Sequence, residues 1–256
     1  MVASTRSGIH YEVSAGSGPA VVFLHGVTLD SRLWRAQVDA FGSRWRCVTS
    51  DLRGHGRSAA LEAGYDPAAD LVEVIDAAGV GAFTLVGLSL GGHDAVVFAG
   101  LHPERCRSLM LVDAWLPGPE MAGWEPPYRL AQSDGAEAAR RAWLADPLFA
   151  TAGSNHAARA ELAAMVGDND LRIWTDSIPR APHPDTRELA LGIRVPTQVV
   201  VGDDELPQFR AVAEWLAANV PGAAGRPLVS LPGAGHLPPM EAAEQFNREL
   251  AALVEA

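Results

Sequence analysis

The sequence predicts an α/β fold: a mostly parallel, twisted sheet with helices on both faces, interrupted by an inserted helical segment. Three observations predict it. Short apolar strand-like runs alternate with helical patterns through the first half of the chain. One of those strands runs straight into the turn Gly87-Leu88-Ser89-Leu90-Gly91 and on into a helix. From Ala114 to about Val195 no strong strand pattern occurs, and then strands resume.

Taken in order, the first strands are Ile9–Val13 and Ala20–His25. The turn-rich link Ser14-Ala15-Gly16-Ser17-Gly18-Pro19 between them suits an antiparallel start. Arg32–Phe41 sets Leu33, Trp34, Val38 and Phe41 near helical spacing, and Trp45–Ser50 is the next strand. Pro67–Ala78 has its proline at the helix start and repeats Leu71, Val72, Val74 and Ile75 along it. Phe83–Gly87 is a short apolar strand. The helix Gly91–Leu101 offers Ala95, Val96, Phe98, Ala99 and Leu101, and Ser108–Asp113 is a further strand. Such alternation implies parallel strands covered on both faces.

Residues 114–195 contain Pro117, Pro119, Pro126, Pro127, Pro147, Pro179, Pro182 and Pro184, with helical stretches near Ala136–Ala145 and Ala157–Val166. A structureless loop of that length does not suit a compact domain. The expectation is an inserted helical cap at 114–195 on a core made of 1–113 and 196–256. Strands return at Thr197–Val201 and Pro227–Leu231, with helices near Phe209–Val220 and Met240–Val254.

Composition narrows the function classes. A chain of 256 residues, 48% apolar, suits one α/β domain with an insertion. Its net charge of −11 repels phosphate backbones and anionic membranes, so no nucleic-acid or membrane partner is expected. Every basic residue is Arg; without Lys, lysine Schiff-base chemistry is excluded. Cys47 and Cys106 lie in apolar strand-like runs and read as buried thiols, not as a disulfide or metal site. No secretory signal is evident, and no apolar run approaches membrane-spanning length, so the expected setting is cytoplasmic.

The chemistry gathers around Ser89. Flanking glycines let the chain turn so sharply that the hydroxyl projects from the sheet edge, while the helix start supplies amide N–H groups for a developing oxyanion. A serine nucleophile needs a base. His236 ends the small-residue loop Leu231-Pro232-Gly233-Ala234-Gly235-His236, directly after the last strand. Both residues thus lie beyond the carboxyl ends of strands, where α/β sheets collect ligands and catalytic groups. His55, His93, His102, His156 and His183 have weaker claims. The base needs an acid to fix its tautomer. Val199-Val200-Val201-Gly202-Asp203-Asp204-Glu205 offers three carboxylates in succession and leaves the choice among them open.

Together these residues resemble the α/β-hydrolase superfamily, along nearly the whole chain. His25-Gly26 is similar to its oxyanion-loop motif. Trp34 and Asp51-Leu52-Arg53-Gly54-His55-Gly56-Arg57-Ser58 resemble the corresponding features of its capped small-molecule members. So do His102-Pro103-Glu104-Arg105, Val195-Pro196-Thr197, Gly202-x-x-Glu205 and Gly233-x-Gly235-His236. The stretch between Ser58 and the strand before Ser89 is shorter than in many members and implies a trimmed peripheral helix.

The resemblance implies Ser89 as nucleophile and His236 as general base and acid. It implies Glu205 as the acid, at a position where Asp is commoner; Asp203, Asp204 and Asp113 remain alternatives. It assigns the oxyanion hole to the backbone N–H groups of Val27 and Leu90, with His25 organising the loop, and it implies no cofactor and no metal. Ser89 excludes the alkyl-enzyme route of the dehalogenase and epoxide-hydrolase relatives, which carry Asp there. The absence of Lys excludes the lysine-assisted hydroxynitrile lyases.

The implied activity is hydrolysis of a carboxylic ester or lactone of an apolar or ring-containing small molecule through an acyl-enzyme. The resemblance is greatest to small esterases and lactonases, including 3-oxoadipate enol-lactonases. Trp115, Trp124, Tyr128, Trp143, Phe149 and Trp174 are candidates for the substrate roof, and Arg129, Arg140, Arg141 or Arg172 for a substrate carboxylate. Cofactor-free perhydrolysis (haloperoxidase activity), C–C bond hydrolysis and a ligand receptor on the same fold are the competing readings. The expected partner is the small-molecule substrate alone, with a homo-oligomer left open.

Overall fold

The computed structural model describes residues 1–176 and 178–256. Its eight strands are β1 (Val2–Ser4), β2 (His10–Val13), β3 (Ala20–Leu24), β4 (Arg46–Ser50), β5 (Phe83–Leu88), β6 (Cys106–Val112), β7 (Thr197–Gly202) and β8 (Val229–Leu231). They form one sheet in the order β1-β2-β4-β3-β5-β6-β7-β8. β1 pairs antiparallel with β2, and β2 antiparallel with β4; from β4 across to β8 every pairing is parallel. All residues of β5 and β7 are buried, as expected of strands covered on both faces.

The antiparallel start is present, but β2 lies against β4, not against β3, which sits inside the sheet. The link between β2 and β3 explains this. Its Gly16 and Gly18 donate to the Gly42 and Arg44 carbonyls, so the link binds the entry to β4 and does not close on itself as a hairpin. β1 was not anticipated: three residues are too few to display a period.

Flanking helices are α1 (Arg35–Phe41), α2 (Pro67–Ala77) and α3 (Leu90–Leu101) before the insertion, then α10 (Pro207–Asn219), α11 (Pro238–Glu241) and α12 (Ala243–Val254) after it. The predicted helix at Arg32–Phe41 opens instead as a 3-10 turn, Ser31–Trp34, capped by the Asp30 carboxylate on the Arg32 N–H. α2 begins at Pro67, with the Asp66 side chain accepting the Ala68 and Ala69 amides, and buries Leu71, Val74 and Ile75 on one face. α3 is buried all round from Gly91 to Ala99 because it lies between the sheet and a helix of the inserted segment. Between β6 and β7 the described residues form the helices α4 (Tyr128–Asp134), α5 (Ala136–Leu144), α6 (Ala150–Ser154), α7 (His156–Asp168), α8 (Arg172–Thr175) and α9 (Thr186–Gly192), with short 3-10 turns and one isolated bridge from Arg180 to Tyr65. Cys47 and Cys106 are buried free thiols, which burial pushes up to about 11 and about 12.

Candidate active site

Ser89 stands between β5 and α3 at φ 53 and ψ −113. A serine at a helix start ordinarily spends its hydroxyl on the first helical amides. Here the turn points it elsewhere, and it makes no capping bond. The backbone is pinned on three sides: its N–H donates to Val112 at 3.0 Å, and its carbonyl accepts from His93 at 3.0 Å and Trp115 at 3.1 Å. Among the described residues, the non-glycine positive-φ positions are Thr28, Ser89, Asp113 and Leu171. The first three lie just beyond the carboxyl ends of β3, β5 and β6. Strain therefore concentrates at one edge of the sheet, as it does at functional sites.

The loop after β3 presses against this turn. A side chain at Gly91 would meet the Leu24 carbonyl oxygen at 2.3 Å, and one at Gly26 would meet Ser89 Cβ at 3.4 Å, so glycine allows the close approach. His25 is fully buried and shapes the loop. Its Nε2 accepts the Leu52 N–H at 2.9 Å, which leaves Nδ1 protonated to donate to Gly26 O at 2.8 Å. Burial holds its pKa below the usual value and keeps the ring neutral. Asp51 steadies the same region by accepting the Ser31 and Arg57 amides, each at 2.9 Å. Among the described residues no acceptor takes the amide N–H of Val27 or of Leu90.

His236 follows β8 and is 3% exposed. Its Nδ1 donates to Glu205 Oε2 at 2.5 Å, and Glu205 Oε1 accepts the Leu206 N–H at 2.5 Å. Burial raises Glu205 to about 8 despite that amide, and burial lowers His236 despite the nearby carboxyl groups of Asp113, Glu241 and Asp146. Of the four carboxylates the sequence left open, Glu205 alone makes this contact; Asp203 and Asp204 are exposed. The loops after β7 and β8 are joined by Asp203 N–H to Leu231 O at 3.0 Å and Asp204 N–H to Ala234 O at 2.9 Å. That zipper delivers Glu205 to the imidazole.

Sequence reasoning missed Glu241. Its Oε2 accepts the N–H of Gly235 at 2.8 Å and of Leu237 at 3.0 Å, the residues on either side of His236. A carboxylate five residues beyond the histidine, at the end of the short helix α11, was the only signal. Phe209 was also missed as a neighbour of the site. It lies 4.6 Å from the His236 ring, centroid to centroid, and Phe149 lies 6.4 Å from it. Trp143 meets Phe149 and Trp174 edge-on at 4.9 Å and 5.3 Å. Trp115 instead packs on His93, and Tyr128 carries Arg129.

The arginines suggested for a substrate carboxylate are otherwise engaged or exposed. Arg129 pairs with Glu125, Arg140 with Glu137 and Arg172 with Asp176, while Arg141 is exposed. Spaced three or four residues apart on exposed turns, they find their own acids first. Among the described residues no cluster of His, Cys, Asp and Glu could hold a metal ion, and no helix is long and apolar enough to cross a membrane.

A model of the alpha/beta hydrolase family matches residues 21–249. A Variovorax paradoxus protein named for carbamate hydrolysis, RutD, is 32% identical over 260 residues, 94% of each chain. Its namesakes in Caulobacter vibrioides are 37% identical over 122 residues, and that match spans only 45% of their length and 45% of this chain. The pimeloyl-(acyl-carrier protein) methyl ester esterase of Nitrosomonas europaea is 27% identical, with 94% of this chain and 97% of that one covered. Among solved structures, the enol-lactonase of Burkholderia xenovorans LB400 superposes with a TM-score of 0.83 over the whole of both chains at 24% identity, a likeness of fold.

Proposed function

The chain belongs to the alpha/beta hydrolase family, and from that premise we propose that it hydrolyses a carboxylic ester or lactone of an uncharged, apolar or ring-containing small molecule through an acyl-enzyme on Ser89. One observation carries this reading. A strained, uncapped serine hydroxyl lies at the sheet edge that also bears His236, whose Nδ1 is hydrogen-bonded to buried Glu205.

In the proposed reaction Ser89 Oγ attacks the carbonyl carbon while His236 Nε2 takes the hydroxyl proton. The carbonyl oxygen becomes an oxyanion against the Val27 and Leu90 amides, each worth about 10²–10³ in rate. His236 then gives its proton to the departing alcohol oxygen, which in a lactone stays tethered to the acyl group. Water attacks the acyl-enzyme, loses a proton to His236, and Ser89 leaves carrying that proton. Glu205 holds the imidazole with Nδ1 protonated, so that Nε2 is free to act as base.

The inserted helices, taken as a cap, supply the roof. Phe149 and Phe209 flank His236, with Trp143 and Trp174 behind. Such a lining favours an apolar or ring-bearing acyl or alcohol group. The paired arginines of the segment argue against an anionic one.

The test is turnover of a panel of aryl esters, lactones and an aryl carbamate by the wild-type protein, Ser89→Ala and Glu205→Gln. Wild-type turnover lost in Ser89→Ala, and strongly reduced in Glu205→Gln, is the expected result. The lactone-to-ester ratio then sets the subclass. A wild-type protein inert across the panel would overturn the reading.

A further inference from the structure

Asp113 has no role in the steps above, yet it is fully buried at the end of β6, next to them. Its backbone stands at φ 40, held by its N–H on the Val200 carbonyl at 3.0 Å. Oδ1 accepts the Gly202 N–H at 3.2 Å. Oδ2 is buried and receives no donor among the described residues. The carboxyl group stands within hydrogen-bonding reach of the Glu205 carboxyl.

Two carboxylates in contact and out of water cannot both be ionised. A buried acceptor beside another acceptor is satisfied once a proton lies between them. We propose that Asp113 is a positioning residue that keeps its proton and donates it to Glu205, so that the buried pair carries a single negative charge on the side facing His236.

The donors decide which partner keeps the charge. Glu205 receives the Leu206 amide and the His236 Nδ1–H, and the Arg210 guanidinium adds its field. Asp113 receives one longer amide bond. Of the other charged groups facing the cluster, Glu241 raises the Glu205 carboxyl, and Glu241 and Asp146 favour the charged form of His236. Burial, followed by the charge of Glu205, pushes Asp113 well above the usual carboxylate range. The donated bond in turn lowers the proton affinity of Glu205, so that it ionises at a lower pH than burial alone would allow.

The proton's location can be read without turnover. Well above pH 8, where Glu205 is ionised, wild type should show the infrared carbonyl band of a protonated carboxylic acid, and Asp113→Asn should lack it. The functional consequence rests on the hydrolase reading and is tested with any ester that wild type turns over. Asn can accept from Gly202 and still donate to Glu205, so the acid limb of kcat/KM should stay where it is in wild type. Asp113→Leu offers no donor, and its limb should move up by about one pH unit, roughly a tenfold loss below the limb that is regained at high pH. A purely structural role would lower the whole profile and leave the limb in place. Absence of the band in wild type overturns the proposal, whether or not the leucine variant folds. So does a limb that moves down by a unit or more in Asp113→Asn, the mark of a second charge removed. An inert wild type would sink the hydrolase reading while leaving the infrared result to stand alone.

Discussion

The indole N–H of Trp143 donates to the Thr28 hydroxyl at 2.8 Å, tying α5 of the inserted segment to the loop after β3. The hydroxyl passes the contact on, donating to the Val27 carbonyl at 2.6 Å, and Thr28 itself stands at φ 63. The inserted helices therefore help hold the loop that carries the Val27 amide. Trp143→Phe keeps an aromatic ring against Phe149 and Trp174 but removes the donor. If the Val27 amide is an oxyanion donor, as proposed, loosening it costs less than losing it, so kcat is expected to fall about tenfold, with KM changed less. Stability should drop by about 1 kcal/mol for the lost hydrogen bond. Single-turnover kinetics and thermal melts check both. A lower melting temperature with unaltered kcat would reduce the link to a packing contact.

Ser89 holds its φ of 53 because three backbone hydrogen bonds impose it. Such strain in a non-glycine residue costs about 1–3 kcal/mol. Glycine relieves it but loses more chain entropy on folding, about 0.5–1 kcal/mol. Ser89→Gly should therefore be more stable than wild type by roughly 1 kcal/mol, while Ser89→Ala, which keeps Cβ, should gain nothing. Both should be inactive if the hydroxyl is the nucleophile. Equal melting temperatures for the two variants would show that the turn stores no strain.

Arg180 pairs with Asp94 at 2.6 Å, and Asp94 is 5% exposed on α3, five residues from Ser89. Burial alone would push the Asp94 carboxyl up; the Arg180 charge, with His93, brings it down to about 2. Arg180→Met strands that buried charge and should cost about 3 kcal/mol, while Arg180→Met with Asp94→Asn should recover most of it. Denaturant unfolding of the two single variants and the double variant measures the coupling. Additive losses would mean that the pair does not interact energetically.

The candidate site was legible where its signal is local. Gly87 to Gly91 and Gly233 to His236 each specify a tight loop within five residues, and both loops lie beyond carboxyl ends of strands. Glu205 was only partly legible. Three adjacent carboxylates differ in sequence by nothing but position, and which one turns inward depends on the zipper between the loops after β7 and β8. The partners Trp143 and Thr28 lie 115 residues apart, and Asp113 meets Glu205 from a different strand; no periodicity joins such pairs. Which strand the antiparallel start pairs with was not legible, because Gly16 and Gly18 bond to another strand's entry, a choice that turn composition does not encode.

Glu205 sets opposite demands on stability and activity. Its ordinary value of 4.5 rises to about 8 in the fold because burial penalises the charged form, with the Leu206 amide and Asp113 only partly offsetting it. A carboxyl whose folded pKa is raised contributes stability in full below 4.5 and loses it as pH climbs through about 8. Glu205→Gln stays neutral, so its melting temperature should gain on wild type across that window and hold a constant lead above it. The lead should reach the order of a few kcal/mol. Activity runs the other way. If His236 is the base and Glu205 its partner, as proposed, only ionised Glu205 keeps the proton on Nδ1, so kcat/KM should rise with pH and level off above about 8, although burial lowers the imidazole itself. A limb below the ordinary histidine range, joined to a variant no more stable than wild type at high pH, would show that Glu205 is ionised at little cost.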